Sequence, residues 1–368
     1  MKKFIPLASP DIQPADIAAV TAVLETGMLV QGKNVAEFEY AISSYTQSRY
    51  AIATSNGTST MHIALCLLGI GPGDEVIVPA FSYVATANVV ELVGATPIFV
   101  DINLETFNID LAQIETKITP KTKAIIPVHE FGLPCEISEI VELARKHNIS
   151  VIEDAACALG ATYNNQHVGT FGDFGSFSLH PRKAISSGEG GIITTNDSVF
   201  DKGCRTLRNH GVGEINGKPA FVAAGFNYRM TDFQAALVNS QFERFDTILA
   251  KKELLVQQYQ SEINNSKITL PSSPANRKHS WQTFHVLLDE SLKRDDIIDA
   301  LRAKGIGTNY GAQCIPAQHY YIKKYGLQAK TLFPNAWKAF TQGLALPLYE
   351  KLTPADISYI AEELNKIA

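Results

Sequence analysis

Residues 122–155 read TKAIIPVHEFGLPCEISEIVELARKHNISVIEDA, and this stretch decides the fold class. The runs TKAIIPVH (122–129) and ISVIEDA (149–155) are almost continuously apolar, which is typical of strands buried on both faces of a parallel sheet. Between them, ISEIVELARKHN has the apolar spacing of an amphipathic helix. A strand, a helix and a second strand in this order predict a right-handed crossover within a mostly parallel sheet.

The same alternation continues on both sides of this unit. EVIVPA (75–80) and TPIFVDI (96–102) are further strand-length runs, followed by the helical patterns SYVATANVVELVG and IDLAQIETKI. GSFSL (175–179) and GIITT (191–195) are separated by a polar, glycine-rich loop that is too short for a helical crossover. Antiparallel or irregular pairing is therefore expected for these two runs, within an overall α/β fold.

The pattern changes after residue 230. Residues 231–264 show one long helical pattern, and a small α+β unit follows it. In that unit WQTFHVLL is expected as a strand, RDDIIDALRAKG as a helix, GTNYGAQC as a strand or loop, and DISYIAEELNKIA as the closing helix. We predict a large domain over residues 1–240 and a connecting helix with a small domain over residues 241–368. The first forty residues fit against either domain.

Composition excludes several classes of protein. The 368 residues are 45% hydrophobic and carry a net charge of −5, which excludes disorder and argues against nucleic acid or anionic membranes as partners. No apolar run reaches the length of a transmembrane helix, and the N-terminal MKKFIPLASPDIQPAD lacks the apolar run of a signal peptide. Five scattered cysteines show no zinc or dithiol spacing, so we expect a cytoplasmic protein without a metal site.

Three segments lie where an open parallel sheet binds ligands, beyond the carboxyl ends of its strands. TSNGTST (54–60) leads into a helix, where free N–H groups suit a phosphate, although a simple N-cap is the alternative. Glu153 and Asp154 end an apolar strand, and capping of the next segment is the alternative there. Lys183 lies in a loop between two apolar strands, beside Pro181 and a glycine cluster. A lysine is most often solvated, but burial here would make its amine a nucleophile toward carbonyls.

Together, these features match the needs of pyridoxal phosphate. The lysine would form a Schiff base, the carboxylate would keep the pyridine nitrogen protonated, and the N–H groups would hold the phosphate.

At these residues the sequence resembles the DegT/DnrJ/EryC1/StrS family of sugar aminotransferases, which are fold type I pyridoxal-phosphate enzymes. The resemblance covers nearly the whole chain and implies a large domain with a mostly parallel seven-stranded sheet flanked by helices, plus a smaller C-terminal α+β domain. HEFGLPCEI and SLHPRKAISSGEGG look most like the perosamine-synthase-like branch. The blocks that carry the resemblance are G-x-x-V-x-E-F-E from Gly32, SNGTSTMHIAL, GDEVIVPAFSYVATANVV, GATPIFVDI, VIEDAACALGA, GTFGDFGSFSLHPRKAISSGEGGIITT, LRNHG, GFNYRMTDFQAAL and ALPLYEKLT.

The resemblance also implies roles for individual residues. Lys183 would bind the cofactor and shuttle the proton, and Asp154 would pair with the pyridine nitrogen. Tyr83 would stack on the ring. Asn227 would reach the phosphate from the second subunit of a homodimer with shared active sites. The residues implied to hold the phosphate within one subunit are Gly57, Thr58, Ser59 and Ser178.

The sequence departs from the family pattern at two places. Cys157 stands where Gln or His usually lies near the 3′-oxygen of the cofactor, and a thiol is a poor hydrogen-bonding group. Either the contact to the cofactor differs, or Cys157 is a neutral packing variant. The family's His-Tyr-x-Pro-x-His stretch, which touches the sugar, is replaced by NYGAQCIPAQH (309–319). Tyr310, Gln313 and His319 are therefore only candidates for substrate contacts.

The implied reaction moves an amino group from L-glutamate to a keto-sugar, most simply a nucleotide-linked 4-keto-6-deoxyhexose used in surface polysaccharide (O-antigen) or glycoconjugate biosynthesis. A 3-keto nucleotide sugar and a keto-octulosonate sugar stay open as substrates. A pyridoxal-phosphate sugar dehydratase is disfavoured, since the branch that deoxygenates at C3 replaces the lysine by histidine. A non-catalytic cofactor-binding module and a metal hydrolase using His129, His180 and His210 are weaker alternatives, because those histidines lack ligand spacing.

Overall fold

The computed structural model of the chain describes residues 4–367, so Lys2 and Lys3 of the N-terminal segment lie outside the described residues. The helices are α1 (Pro14–Thr26), α2 (Lys33–Thr46), α3 (Gly57–Leu67), α4 (Ala85–Leu92), α5 (Leu111–Ile114), α6 (Ile137–Lys146), α7 (Ser198–Arg208), α8 (Asp232–Phe242), α9 (Phe245–Glu262), α10 (Arg294–Ala303), α11 (His319–Tyr325), α12 (Ala329–Leu332), α13 (Pro334–Gln342) and α14 (Pro354–Asn365). Single 3₁₀ turns span Glu115–Lys117, Glu130–Gly132 and Ile315–Ala317.

The strands include many that are only two residues long. They are β1 (Tyr50–Thr54), β2 (Glu75–Pro79), β3 (Phe81–Ser82), β4 (Thr96–Val100), β5 (Thr122–Ile125), β6 (Ser150–Asp154), β7 (Thr162–Tyr163), β8 (Gln166–His167), β9 (Phe174–Ser178), β10 (Gly191–Thr195), β11 (Val212–Ile215), β12 (Lys218–Phe221), β13 (Ile268–Thr269), β14 (Arg277–Lys278), β15 (Phe284–Leu288), β16 (Gln313–Cys314) and β17 (Gly343–Leu346).

A seven-stranded sheet in the order β1-β10-β9-β6-β5-β2-β4 forms the centre of the fold. β10 pairs antiparallel with both of its neighbours, and the other pairs within this sheet are parallel. The predicted mostly parallel α/β sheet is therefore confirmed, as is the antiparallel pairing of the strands that flank the Lys183 loop. This topology places the ends of β6 and β9 and the start of β10 at one edge, where parallel sheets bind ligands.

Two of the predicted helices differ in the structure. The pattern at 109–118 gives only the four-residue α5 and a 3₁₀ turn, because Ile109 pairs with Ile102 and Pro120 follows closely. The single helix predicted over 231–264 is wrong: α8 and α9 are separated at Glu243 and Arg244. Arg244 leaves the helical conformation, with φ −108° and ψ 14°, and its guanidinium binds Asp16 of α1 at 2.7 Å.

The chain contributes to two major apolar cores, and segments that follow one another in the sequence alternate between them. A C-terminal core surrounds the small sheet β13-β15-β17 and includes residues of α9, α10 and α14. Residues 312–339, however, pack their apolar side chains into the core of the large sheet. The N-terminal segment contacts both parts: Ile5 pairs with Ile306, whereas α1 and α2 pack on α8. The division of the chain at residue 240 stays a prediction.

Among residues 4–367, no helix combines the length and the apolar character that a bilayer crossing needs.

Candidate active site

The loop between β9 and β10 carries Lys183 at the ligand edge of the sheet. The loop is closed by backbone bonds between Leu179 and Gly190 (2.8 Å), and the Gln241 side chain of α8 bonds both the N–H (3.0 Å) and the carbonyl (2.8 Å) of Ser186. Lys183 is half-buried, and its Nζ donates to Cys157 Sγ at 3.0 Å. The amine is thus held beside Cys157 at the ligand edge of the sheet, and its role as a nucleophile stays a prediction.

Asp154 lies at the carboxyl end of β6 and is only 4% exposed. Its carboxylate accepts hydrogen bonds from the Thr86 hydroxyl at 2.7 Å and from the Ala156 N–H at 3.2 Å. Burial raises the pKa of Asp154, and the Thr86 hydrogen bond and the charge of Lys183 oppose that rise. A cationic partner would relieve this desolvation, which suits the predicted pairing with a protonated ring nitrogen.

The neighbouring Glu153 has a different task. Its buried carboxylate accepts the N–H groups of Gly169 and Phe171, each at 2.7 Å, and of Gly172 at 2.9 Å. It also contacts Nε2 of His129 at 3.1 Å, while Nδ1 of that ring accepts the N–H of Cys135. His129 therefore has a structural role, and residues 4–367 contain no cluster of three or more potential metal ligands.

Glu130 is a site residue that the sequence analysis missed. It follows β5 in the block HEFG, is 5% exposed, and lies close enough to Asp154 and Lys183 for their charges to act on it. Burial raises the pKa of the Glu130 carboxyl to about 8. An acidic residue just beyond an apolar strand was the signal that could have identified it.

The start of α3 forms the predicted phosphate cup only in part. Asn56 caps the helix, because its side chain accepts the Ser59 N–H at 2.8 Å, while the Ser59 hydroxyl donates to the Asn56 carbonyl at 2.7 Å. The N–H groups of Gly57 and Thr58 precede the first helical bond, and no hydrogen bond joins either of them to another described residue. The structure shows the cap, in which Ser59 takes part, and leaves the Gly57 and Thr58 N–H groups available for an anion; the phosphate site itself stays a prediction.

Gly57 is required where α3 meets β9. A Cβ on Gly57 would lie 2.9 Å from Cβ of Ser178, so only glycine lets the helix start approach this strand end so closely. The Ser178 hydroxyl is half-buried and accepts the N–H of His180 at 3.4 Å. Gly57 and Ser178, far apart in the sequence, are thus brought together as predicted.

Tyr83 and Asn227 are both exposed on the single chain. Tyr83 directly follows β3 and leaves 64% of its surface accessible, so its ring is open to a planar ligand. Asn227 pairs its backbone with Asn209, and the carbonyl of the adjacent Tyr228 accepts the Ser55 N–H at 2.8 Å beside the cup. No hydrogen bond within residues 4–367 joins the Asn227 side chain to the other candidates, and its role across a dimer stays a prediction.

The three candidates for substrate contacts are only partly brought together. Gln313 lies in β16 opposite Ser82 of β3, and its amide approaches the Tyr310 hydroxyl at 3.5 Å. The Tyr310 ring lies near Arg294, whose guanidinium carbon is 5.6 Å from the ring centroid. His319 begins α11 on the surface, and among the described residues no hydrogen bond connects it to the other two.

The residues at this edge fit a phosphorylated pyridine aldehyde. Lys183 supplies the amine, Asp154 a buried carboxylate for the ring nitrogen, and the α3 N-terminus with Ser178 an anion site. Cys157 occupies the position beside the amine, and burial raises the pKa of its thiol, so it contributes a neutral side chain there.

Comparison with known proteins agrees with this arrangement. The chain matches the DegT/DnrJ/EryC1/StrS aminotransferase family over residues 10–365. It is 40% identical over 370 aligned positions to a GDP-perosamine synthase from Caulobacter vibrioides, covering 99% of this chain and 98% of that protein. Among solved structures, Spr1654 from Streptococcus pneumoniae, assigned as a sugar aminotransferase, superposes in its PLP form with a TM-score of 0.93 at 31% identity, covering 98% of both chains.

Two further solved structures show the same likeness. The PMP form of the same Streptococcus pneumoniae protein gives a TM-score of 0.93 at 30% identity, again over 98% of each chain. Helicobacter pylori PseC, an aminotransferase involved in the biosynthesis of pseudoaminic acid, gives 0.92 at 26% identity over 98% of each chain.

Fold and site together define a fold type I enzyme that uses pyridoxal phosphate. The chain belongs to the DegT/DnrJ/EryC1/StrS aminotransferase family. The predicted fold, cofactor and enzyme class, a sugar aminotransferase, are therefore confirmed.

Proposed function

We propose that this enzyme transfers an amino group from L-glutamate to a nucleotide-linked 4-keto-6-deoxyhexose. The observation that carries the proposal is the Lys183 amine, held 3.0 Å from Cys157 and close to the buried Asp154. The similarity to GDP-perosamine synthase over 99% of the chain supports this choice of sugar. A 3-keto nucleotide sugar and a keto-octulosonate sugar are the alternatives for the substrate.

The chain's own residues have distinct tasks in such a reaction. Pyridoxal phosphate, when bound, supplies an electron sink that stabilises negative charge at the carbon bearing the amino group. Asp154 would hold the ring nitrogen protonated, and the Gly57 and Thr58 N–H groups with Ser178 would hold the phosphate. Lys183 would hold the cofactor through Nζ and, when free, would accept and return the proton at that atom.

Replacement of Lys183 by alanine tests this assignment. Lys183→Ala should lose the visible absorbance of the lysine-bound cofactor and all amino transfer, because no other described side chain places an amine at that point of the loop. Lys202→Ala, which alters an exposed lysine of α7, is the control and should behave like the wild type. Amino transfer retained by the purified Lys183→Ala protein would refute the role given to Lys183.

A panel of nucleotide keto-sugars identifies the substrate and separates transamination from dehydration. Each sugar is added with L-glutamate, and 2-oxoglutarate and the amino sugar are measured. We expect stoichiometric formation of both with a GDP-linked 4-keto-6-deoxyhexose. Turnover of a keto-sugar without 2-oxoglutarate would favour the dehydratase, and turnover of only a 3-keto or octulosonate sugar would favour the corresponding alternative.

We further propose that the enzyme acts as a cytoplasmic homodimer with shared active sites. Large apolar side chains lie open on the single chain, including Met28 (75% exposed) and Phe221 (79% exposed), which is unusual without a covering partner. The exposure of Asn227 close to the phosphate cup supports a contact made from the second subunit. The five free cysteines support a reducing compartment.

A further inference from the structure

The turn that carries Glu130 is held rigidly at the ligand edge. The Glu130 N–H donates to Asn108 Oδ1 at 2.8 Å, and the carbonyls of Phe131 and Gly132 accept backbone N–H groups of residues 282 and 280, each at 3.0 Å. Phe131 has φ +56°, a left-handed conformation that an aromatic residue adopts only under constraint. Its ring stacks on His285 with centroids 4.3 Å apart, so the direction of the Glu130 side chain is fixed by its neighbours.

Within this fixed turn, one oxygen of Glu130 has no partner. Oε2 is fully buried and accepts no hydrogen bond from any described residue. A buried acceptor without a donor is unfavourable, and such groups are rare unless a ligand or water satisfies them. The charged or titratable side chains that act on the Glu130 carboxyl are Asp154 from β6, Lys183 from the loop and Cys157 beyond β6.

A second unpartnered oxygen lies on the neighbouring strand. Gln313 of β16 pairs directly with Ser82 of β3, and side chains of directly paired residues lie on the same face. The Ser82 side chain is in turn within hydrogen-bonding reach of the Glu130 carboxyl. Gln313 Oε1 is buried without a hydrogen-bond partner among the described residues. Glu130 and Gln313 therefore flank Ser82, each with one unsatisfied acceptor oxygen.

We propose that Glu130 and Gln313 form an acceptor pair that binds a hydroxyl group of the keto-sugar close to its reacting carbonyl. This inference rests on the proposed function, because it presumes a sugar substrate. A neutral hydroxyl donor satisfies a buried acceptor without bringing a charge into the site, whereas the carboxylates of L-glutamate would be repelled by Asp154 and gain nothing from two acceptors.

The test exploits the two separable halves of amino transfer. Conversion of the cofactor to its amino form by L-glutamate is followed by absorbance without any sugar. The amino sugar is then titrated calorimetrically into the amino form of the enzyme, to which it binds but with which it cannot react. GDP-perosamine is the probe, or the amino product of whichever sugar the panel identifies. The variants are Glu130→Leu, which removes both acceptor oxygens, and Gln313→Leu, with Glu189→Gln, an exposed glutamate in the loop that carries Lys183, as the control.

We expect each of the two variants to weaken the calorimetric Kd about tenfold or more, the usual effect of losing a buried hydrogen bond to a substrate hydroxyl. The glutamate half-reaction should stay within about twofold of the wild type, and Glu189→Gln should change neither quantity. An unchanged Kd in both variants would overturn the inference, as would a glutamate step slowed as much as sugar binding. The sugar panel with the wild-type enzyme tests the proposed function independently of these variants. Failure of this inference and failure of the proposed function can therefore be distinguished.

Discussion

Glu153 and Asp154 are adjacent in β6, and their side chains point to opposite sides of the sheet. Glu153 binds three backbone N–H groups of residues 169–172, whereas Asp154 faces Thr86 and the site. The sequence predicts a carboxylate at this strand end and, by resemblance, selects Asp154. An acidic residue beyond an apolar strand also marks Glu130, but the burial that raises its pKa is created by several distant segments together and is not visible in the sequence.

At the same scale, the Glu130 carboxyl makes stability depend on pH. Its pKa is about 8 in the folded chain against an ordinary value of 4.5, so the folded state holds an extra proton between these values. Folding stability should therefore fall as pH rises through this window, by up to about 1.4 kcal/mol per pH unit, and level off above pH 8. In Glu130→Gln this dependence is absent.

Urea unfolding of the cofactor-free protein between about pH 5 and 9 measures this effect. The difference in unfolding free energy between Glu130→Gln and the wild type should grow with pH, while Glu189→Gln should follow the wild type. A difference that stays constant with pH would show that Glu130 is already ionised at the acidic end.

At the scale of elements, Glu39 of α2 ties three segments together. Its carboxylate binds Arg205 at 2.7 Å and Arg208 at 2.5 Å, both on α7, and it accepts the Ala53 N–H of β1 at 2.9 Å. Arg208 is 3% exposed, so Glu39 is the partner of a buried cation. In the sequence, Glu39 stood out only as part of the G-x-x-V-x-E-F-E block that carries the family resemblance. The structure shows that it connects α2, α7 and β1.

Glu39→Gln should therefore lower the unfolding free energy by about 3–5 kcal/mol, because Arg208 would stay buried without a countercharge. Glu37→Gln in the same helix is the control. Glu37 is exposed and contacts only Lys33 in an ion pair, at 3.5 Å, so its loss should cost less than about 1 kcal/mol. Urea unfolding compares the two variants, and equal losses would contradict the assignment.

The elements themselves were largely predictable from local patterns. The strands β2, β4, β5 and β6 and the helix α6 follow from apolar periodicity that one segment carries alone. The break between α8 and α9 was not predictable from local patterns, because it involves Arg244, whose side chain binds Asp16, 228 residues away in the sequence. The packing of residues 312–339 on the large core was not predictable either. The sequence of an apolar segment indicates that the segment is buried, but it does not indicate which core covers it.

At the scale of the whole molecule, the proposed homodimer with shared active sites predicts complementation between subunits. Lys183→Ala and Asn227→Asp should each be nearly inactive, the second because a carboxylate would repel the phosphate. Random mixing of the two variants should restore roughly a quarter of wild-type activity, since half of the dimers are mixed and one of their two sites keeps both residues.

The mixture is prepared by co-expression with two affinity tags, and mass spectrometry confirms the mixed dimers. Dimers of each single variant, prepared with the same two tags, provide the background activity. Mixed dimers without recovered activity would place Lys183 and Asn227 in the same subunit's site, and an active Asn227→Asp homodimer would remove Asn227 from the site.

The N-terminal segment has a further consequence for how the protein is made. Ile5 pairs with Ile306, Asp16 binds Arg244, and the start of α2 is capped by the Asp232 carboxylate at 2.9 Å from the Gly32 N–H. A ribosome delivers each of these partners only after at least 200 further residues have been synthesised. Until then, the apolar face of α2, formed by Val35, Phe38 and Ile42, has nothing from these later segments to cover it, so the emerging chain offers a binding surface for ribosome-associated chaperones.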